Sequence, residues 1–127
     1  VQEKNHFMWE ANLLEQVFSR AGIQIIKFFF MINKEQQAKR FASRQTSPLK
    51  AGKMSAIDIA SQSKWAEYAS AYNALTTVQK DWVIVNSNDK NKARIAAIQY
   101  VLLNNDYLGK DLDAIGKIDD NILKVPS

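Results

Sequence analysis

IQIIKFFFMINKEQQAKRFASRQTSPLKAGKMSAID, residues 23–58, is the stretch on which the fold turns. Residues 23–32 are nearly continuous in apolar and β-favouring side chains. Such a run suits a parallel strand covered on both faces. Asn33, with Gln36 three positions on, resembles a capping box, so a helix begins directly after the strand. It runs to about Arg44, and Thr46, Ser47 and Pro48 break it. Ser55 then caps a second helix, with Asp58 in the first turn, where a negative charge complements the helix dipole.

The same stretch carries unusual charge. Residues 33–58 hold Lys34, Lys39, Arg40, Arg44, Lys50 and Lys53 against only Glu35 and Asp58. Arg40 and Arg44, four residues apart on a helix, put two guanidiniums on one face. Lys50 and Lys53 follow beyond the Pro48 break. A cationic surface mounted on a strand–helix element calls for a polyanionic ligand, phosphate first among them.

Upstream, residues 6–20 carry Phe7, Ala11, Leu14 and Phe18 at helical spacing, and Gly22 supplies the stop. Downstream, the second helix carries Trp65, Tyr68 and Tyr72. Residues 82–86 read as a second strand. Asn88 or Asp89 caps a last helix whose buried face is expected to hold Ile95, Ile98 and Leu102. From Asn104 on the chain is polar, with apolar anchors at Tyr107, Leu108, Leu112, Ile115, Ile118, Ile122 and Leu123. The expected class is α/β: two neighbouring parallel strands joined by a helical excursion over about 34–75, with residues 1–127 a portion of a single domain. A helical insertion that points Arg and Lys at a ligand is how many phosphotransferases build a lid. Two strands are too few for a complete sheet of this type, so either the chain pairs with more strands from elsewhere or part of the protein is missing.

Composition narrows the chemistry. The chain has 127 residues, enough for one domain with a real core, and a net charge of +4. That excess favours an anionic partner without demanding nucleic acid. With no cysteine, disulfides, thiolate catalysis and Cys-based metal sites are excluded. The single histidine, His6, cannot build a His cluster and reads as a helix-surface residue. No apolar run is long enough to span a bilayer, and no signal segment opens the sequence, so a cytoplasmic location is expected. The first residue is Val1 rather than Met, and the chain is read as a piece of something longer.

Taken in order, GIQIIKFFFMINKEQQAKRFASRQTSPLKAGKMSAID (22–58), KWAEYASAYNAL (64–75) and DWVIVNSNDKNKARIAAIQYVLL (81–103) resemble the polyphosphate kinase type 2 family. The likeness extends more weakly through the first helix and into YLGKDLDAIGKID (107–119). The resemblance implies a P-loop-kinase-like parallel sheet, of which this is the C-terminal part with a helical lid insertion. It implies reversible phosphoryl transfer between inorganic polyphosphate and a nucleotide (ADP, GDP or AMP). It also implies Mg²⁺, whose ligands are expected outside this chain, and a homo-oligomer. A Gly-rich phosphate loop is missing, since Gly22, Gly52, Gly109 and Gly116 are scattered. Residues 1–127 by themselves are therefore expected to be inactive. Gly52 stands where the family usually has an aromatic residue, Ala56 where it has Pro, and the 76–82 segment is shorter than usual.

The resemblance places Arg44 at a lid position that contacts phosphate, and its planar fork suits oxygens whose charge grows in the transition state. Arg40 shares its face. Lys50 and Lys53 either track a polyphosphate chain or form a solubilising basic loop. Asp89, Lys90 and Arg94 match a family stretch at the end of the last strand, where α/β proteins bind ligands, though Asp89 reads equally as a helix cap. The Trp65–Tyr68–Tyr72 stripe is either core or a nucleobase platform. Lys27, inside an apolar strand, either snorkels or pairs with a carboxylate. Two functions stay open: a polyphosphate-dependent nucleotide phosphotransferase, or a non-catalytic basic module for polyphosphate or nucleic acid. The first includes neither nucleic acid nor membrane among its partners.

Overall fold

The computed structural model describes residues 2–49, 52 and 55–125. The described elements are α1 (Gln2–Arg20), β1 (Lys27–Met31), α2 (Lys34–Thr46), α3 (Ala56–Ser63), α4 (Trp65–Val78), β2 (Trp82–Asn86), α5 (Lys90–Leu103), α6 (Leu112–Ile115) and β3 (Leu123–Lys124). They form a mixed α/β arrangement around a three-stranded sheet of order β1-β2-β3. β1 and β2 are parallel, with Phe29 opposite Ile84. The expected strand pair is present, with β2 at the expected residues.

Three differences have physical causes. β1 is half the length read from the apolar run. Gly22, at φ 80°, ends α1 with paired bonds from its own N–H to the Ser19 carbonyl and from the Ile23 N–H to the Phe18 carbonyl. This left-handed closure re-aims the chain, and residues 23–26 are spent reaching the sheet. Nor is β1 covered on both faces. Its burial falls from Lys27 towards Met31, and Phe30 is 51% exposed. Finally, the excursion between the strands holds three helices rather than two, because Lys64 interrupts the second helical run between α3 and α4.

The tail contributes a strand that the sequence pattern did not show. β3 is two residues long and pairs antiparallel with Ile84 and Val85, too short for a periodic signal. Leu123 completes a core with Val83, Val85, Ala93 and Ala96, flanked by Phe28, Tyr100, Ile118 and Ile122. Here the expected face of α5 is corrected. Ala93 and Ala96 face the sheet, while Ile95 and Ile98 are each 58% exposed. Ile95 lies about 200° round the helix from Ala93, and the small alanines let the backbone approach the sheet closely. Of the tail anchors, Tyr107, Leu108 and Leu112 are exposed. On α1, Phe7, Leu14 and Phe18 share the helical spacing but are exposed among the described residues.

Lys27 pairs rather than snorkels. Its Nζ lies 2.7 Å from both Glu15 of α1 and Asp81 at the entry to β2, and 5.4 Å from the centre of the Trp82 ring. Burial alone would lower its pKa. The hydrogen bonds and charges of Asp81 and Glu15 outweigh that effect and hold it above the ordinary 10.5. Beside it, the Gln79 amide donates to Asn12 and accepts from the Trp82 indole. These contacts fasten α1 to the N-terminal ends of the strands.

Lys27→Met should lower stability at pH 7 by about 1–2 kcal/mol. The figure is below that for a fully buried pair, because Glu15 is 28% and Asp81 65% exposed and both keep water. A raised lysine contributes fully below its unfolded value and loses that contribution as pH climbs through the folded one. The gap between wild type and Lys27→Met should therefore close above about pH 10.5. Urea unfolding at pH 7 and across the alkaline range checks both; a gap that widens with pH would refute the pairing argument.

Candidate functional site

At the C-terminal ends of β1 and β2, the chain leaves the sheet twice. After β1 it enters α2, and after β2 it turns through residues 87–89 into α5. Two hydrogen bonds knit these exits together. The Ser87 N–H and Oγ both donate to the Met31 carbonyl at 2.7 Å. The Asn33 side chain caps α2 by accepting from the Gln36 N–H at 2.8 Å. The other half of the expected capping box is absent, because the Asn33 N–H donates instead to the Asn88 side chain at 3.0 Å. That exchange ties the start of α2 to the turn before α5.

Between α2 and this turn lies an open cleft of about 700 Å³. Gln36, Lys39, Arg40, Ser43 and Arg44 line it from α2, and Asn88, Asp89 and Lys90 from the other side. Among the described residues, four cationic side chains and one carboxylate thus line it, and that carboxylate is already engaged. Asp89 caps α5, its Oδ1 accepting from the N–H groups of Asn91 and Lys92 at 2.9 and 3.1 Å. The helix-cap alternative for Asp89 is therefore the one its contacts show, although the residue also borders the cleft.

Arg40 bridges to the facing turn. Its Nη2 donates to the carbonyls of Ser87 and Asn88, the latter at 3.2 Å. Arg44 lies one helical turn on, with its guanidinium over the Phe41 ring at 5.4 Å and Nη1 3.8 Å from Asp58 of α3. Asp58 is held in turn by a complete capping box with Ser55, accepting from its N–H at 2.9 Å and its hydroxyl at 3.0 Å. These hydrogen bonds, with a smaller contribution from the Arg44 charge, keep its carboxyl below the ordinary 3.8.

Of the residues singled out in the sequence, the fold brings Arg40, Arg44, Asp89 and Lys90 to one cleft. Arg94 is exposed one turn further along α5 and is not among the lining residues. Lys50 and Lys53 lie outside the described residues. Gln36, Lys39, Ser43 and Asn88 were missed as lining residues. Their signal was available on α2, since positions 36, 39, 40, 43 and 44 recur every three or four residues and form one face. The Trp65–Tyr68–Tyr72 stripe closes no core among the described residues. It walls an apolar groove of about 460 Å³ against Phe29–Ile32, with the Tyr72 and Phe29 rings tilted by 45° at 4.6 Å between centroids and Tyr68 54% exposed. His6 is exposed and sits 3.2 Å from Glu10. Among the described residues, no three His, Asp or Glu side chains are grouped to hold a metal ion, and no helix is long and apolar enough to cross a membrane.

Comparison with known proteins gives this cleft a context. NDP-polyphosphate phosphotransferase 2 of Ruegeria pomeroyi is 40% identical over 121 residues, 92% of this chain and 35% of that protein. ADP-polyphosphate phosphotransferase 1 of Rhizobium meliloti is 39% identical over 121 residues, again 92% of this chain and 40% of that protein. GDP-polyphosphate phosphotransferase of Mycolicibacterium smegmatis is 37% identical over 92% of this chain and 43% of its own length. The chain thus spans well under half the length of these relatives. The sequence model of the polyphosphate kinase 2 family matches residues 1–112, nearly the whole chain, and the chain belongs to that family.

Proposed function

We propose that this chain forms the phosphate-gripping part of a polyphosphate-dependent nucleotide phosphotransferase, which moves a phosphoryl group reversibly between inorganic polyphosphate and a nucleoside mono- or diphosphate. The observation that carries the reading is the convergence of Lys39, Arg40, Arg44 and Lys90 on one cleft at the C-terminal ends of two parallel strands. The polyphosphate and nucleotide in the relatives' names supply the substrate class. In this reading the sheet is the P-loop-kinase-like kind, and the excursion over about 34–75 is a lid. The protein works in the cytoplasm, where its nucleotide acceptor is found, as a homo-oligomer.

The side chains divide the work. Arg40, engaged with the Ser87 and Asn88 carbonyls, fixes the width of the cleft and adds positive charge. Arg44 presents a planar fork to phosphoryl oxygens whose charge rises as the bond to the leaving group lengthens. Lys39 and Lys90, with Lys50 and Lys53 of the lid, act as mobile point charges along a polyanion. A divalent cation, Mg²⁺ in this reading, neutralises charge on the substrate phosphates. Among the described residues no three His, Asp or Glu side chains are grouped to hold such an ion.

The test is phosphoryl transfer by the complete protein that carries this chain, with polyphosphate, ADP or GDP, and Mg²⁺. Polyphosphate binding without transfer would leave the basic-module reading in its place. In that protein Arg44→Ala should lower turnover by about two to three orders of magnitude, the loss of one transition-state donor, and Arg44→Lys should restore little of it. Lys50→Ala and Lys53→Ala should instead weaken polyphosphate affinity in a salt-dependent way, with turnover at saturation nearly intact. Saturation kinetics at two salt concentrations separates the two classes, and an unchanged turnover number for Arg44→Ala would remove the central role given to it.

Arg40 and Arg44 should also differ in stability. Arg40→Ala leaves two backbone carbonyls without their donor and should cost about 1–2 kcal/mol in urea unfolding, on top of weaker anion binding. Arg44→Ala, whose ion pair with Asp58 is long and partly exposed, should cost less than Arg40→Ala. Equal losses in the two variants would show that Arg40 does not brace the cleft.

A further inference from the structure

Arg44 lines the cleft from the last turn of α2, and its orientation depends on what lies behind it. On one side is the Phe41 ring, itself buried. On the other is Asp58, which does not line the cleft. The Asp58 carboxylate is not a loose surface group. Two hydrogen bonds from Ser55 hold it at the N-terminus of α3 in a complete capping box. An arginine held between a ring and a fixed carboxylate loses rotamer freedom before any ligand arrives, and a ligand then has less ordering to do. The Arg44–Asp58 contact also joins the last turn of α2 to the first turn of α3, the two ends of the 47–55 connection that carries Lys50 and Lys53.

We propose that Asp58 is a positioning residue for Arg44: a carboxylate fixed by the α3 cap, outside the cleft, that orients the guanidinium towards a bound phosphate chain. The proposal rests on the phosphate-cleft reading above. It assigns Asp58 no contact with substrate. An acidic residue next to an anion site has two possible effects of opposite sign. As a bare charge it repels the ligand, and its removal tightens binding. As a support for Arg44 it aids the ligand, and its removal weakens binding, but only while Arg44 is present.

A double-mutant cycle in the complete protein that carries this chain separates these effects, with inorganic polyphosphate as the probe and calorimetry at fixed salt as the readout. The variants are Arg44→Ala, Asp58→Asn and the pair. Asparagine keeps an oxygen that can accept from Ser55, so the cap survives while the charge is lost. Asp58→Asn should weaken binding about threefold in the presence of Arg44, the scale of one partly exposed ion pair, and should not weaken it in the Arg44→Ala background. Asp58→Glu, which retains both the charge and a favoured capping-box residue, should recover most of the affinity. An equal change in both backgrounds would overturn the proposal, leaving only a field or folding effect. So would tightening that is greater with Arg44 present, which would make Asp58 a competitor. If Arg44→Ala alone leaves polyphosphate binding intact, Arg44 does not hold the bound chain and the positioning role falls; the phosphate-cleft reading falls only if turnover is intact as well. If Arg44→Ala weakens binding but Asp58→Asn is silent, only the positioning role falls.

Discussion

Everything at the candidate site hangs on the parallel pairing of Lys27–Met31 with Trp82–Asn86. Parallel strands end at the same side of a sheet, so both exits from it lie together, and the chain must leave by a long crossover. The Ser87 bonds to the Met31 carbonyl lock the two ends in register. Arg40 then reaches from the first exit to the backbone of the second. Without the pairing, α2 and the turn before α5 would be unrelated surface segments, and their cationic side chains would face no common space.

The opposite end of the sheet solves a different problem with the same residue types. There a lysine is buried, and two carboxylates and an indole ring compensate for its desolvation. At the cleft, the arginines sit half-exposed against carbonyls, a ring and one capped aspartate. Cations at the lower end are thus consumed in holding α1 to the strands. Those at the upper end line an open space with a single carboxylate, itself spent on capping α5. The modest overall charge of +4 conceals this asymmetry.

Much of this was legible in the sequence because the signals were local. The strand ending near Asn33, the Gly22 stop, the Ser55 cap and the 82–86 strand each depend on a few neighbouring residues, and each is present. What was not legible depended on partners far along the chain. The inward face of α5 was read as Ile95 and Ile98 from hydrophobicity, but the sheet accepts Ala93 and Ala96, and only tertiary packing makes that choice. β3 has two residues and no period. Lys27 could not be assigned partners, since Glu15 and Asp81 come from separate elements. At the site, the basic face of α2 was visible from spacing. The engagement of Arg40 with backbone carbonyls was not, because carbonyls carry no sequence signature.

The Ser87–Met31 stitch spans 56 residues, whereas the contacts of α5 with β2, β3 and α6 all lie between Trp82 and Lys124. The cleft is thus a non-local object. Either of its walls can exist as local structure, but the space between them exists only once that long loop has closed. Closure entropy grows only as the logarithm of loop length, about 0.6 kcal/mol per doubling. Residues added to or removed from the connection between α2 and α3 therefore cost little in equilibrium stability. What the long loop does exact is time, since pairings distant in sequence are slow to find one another.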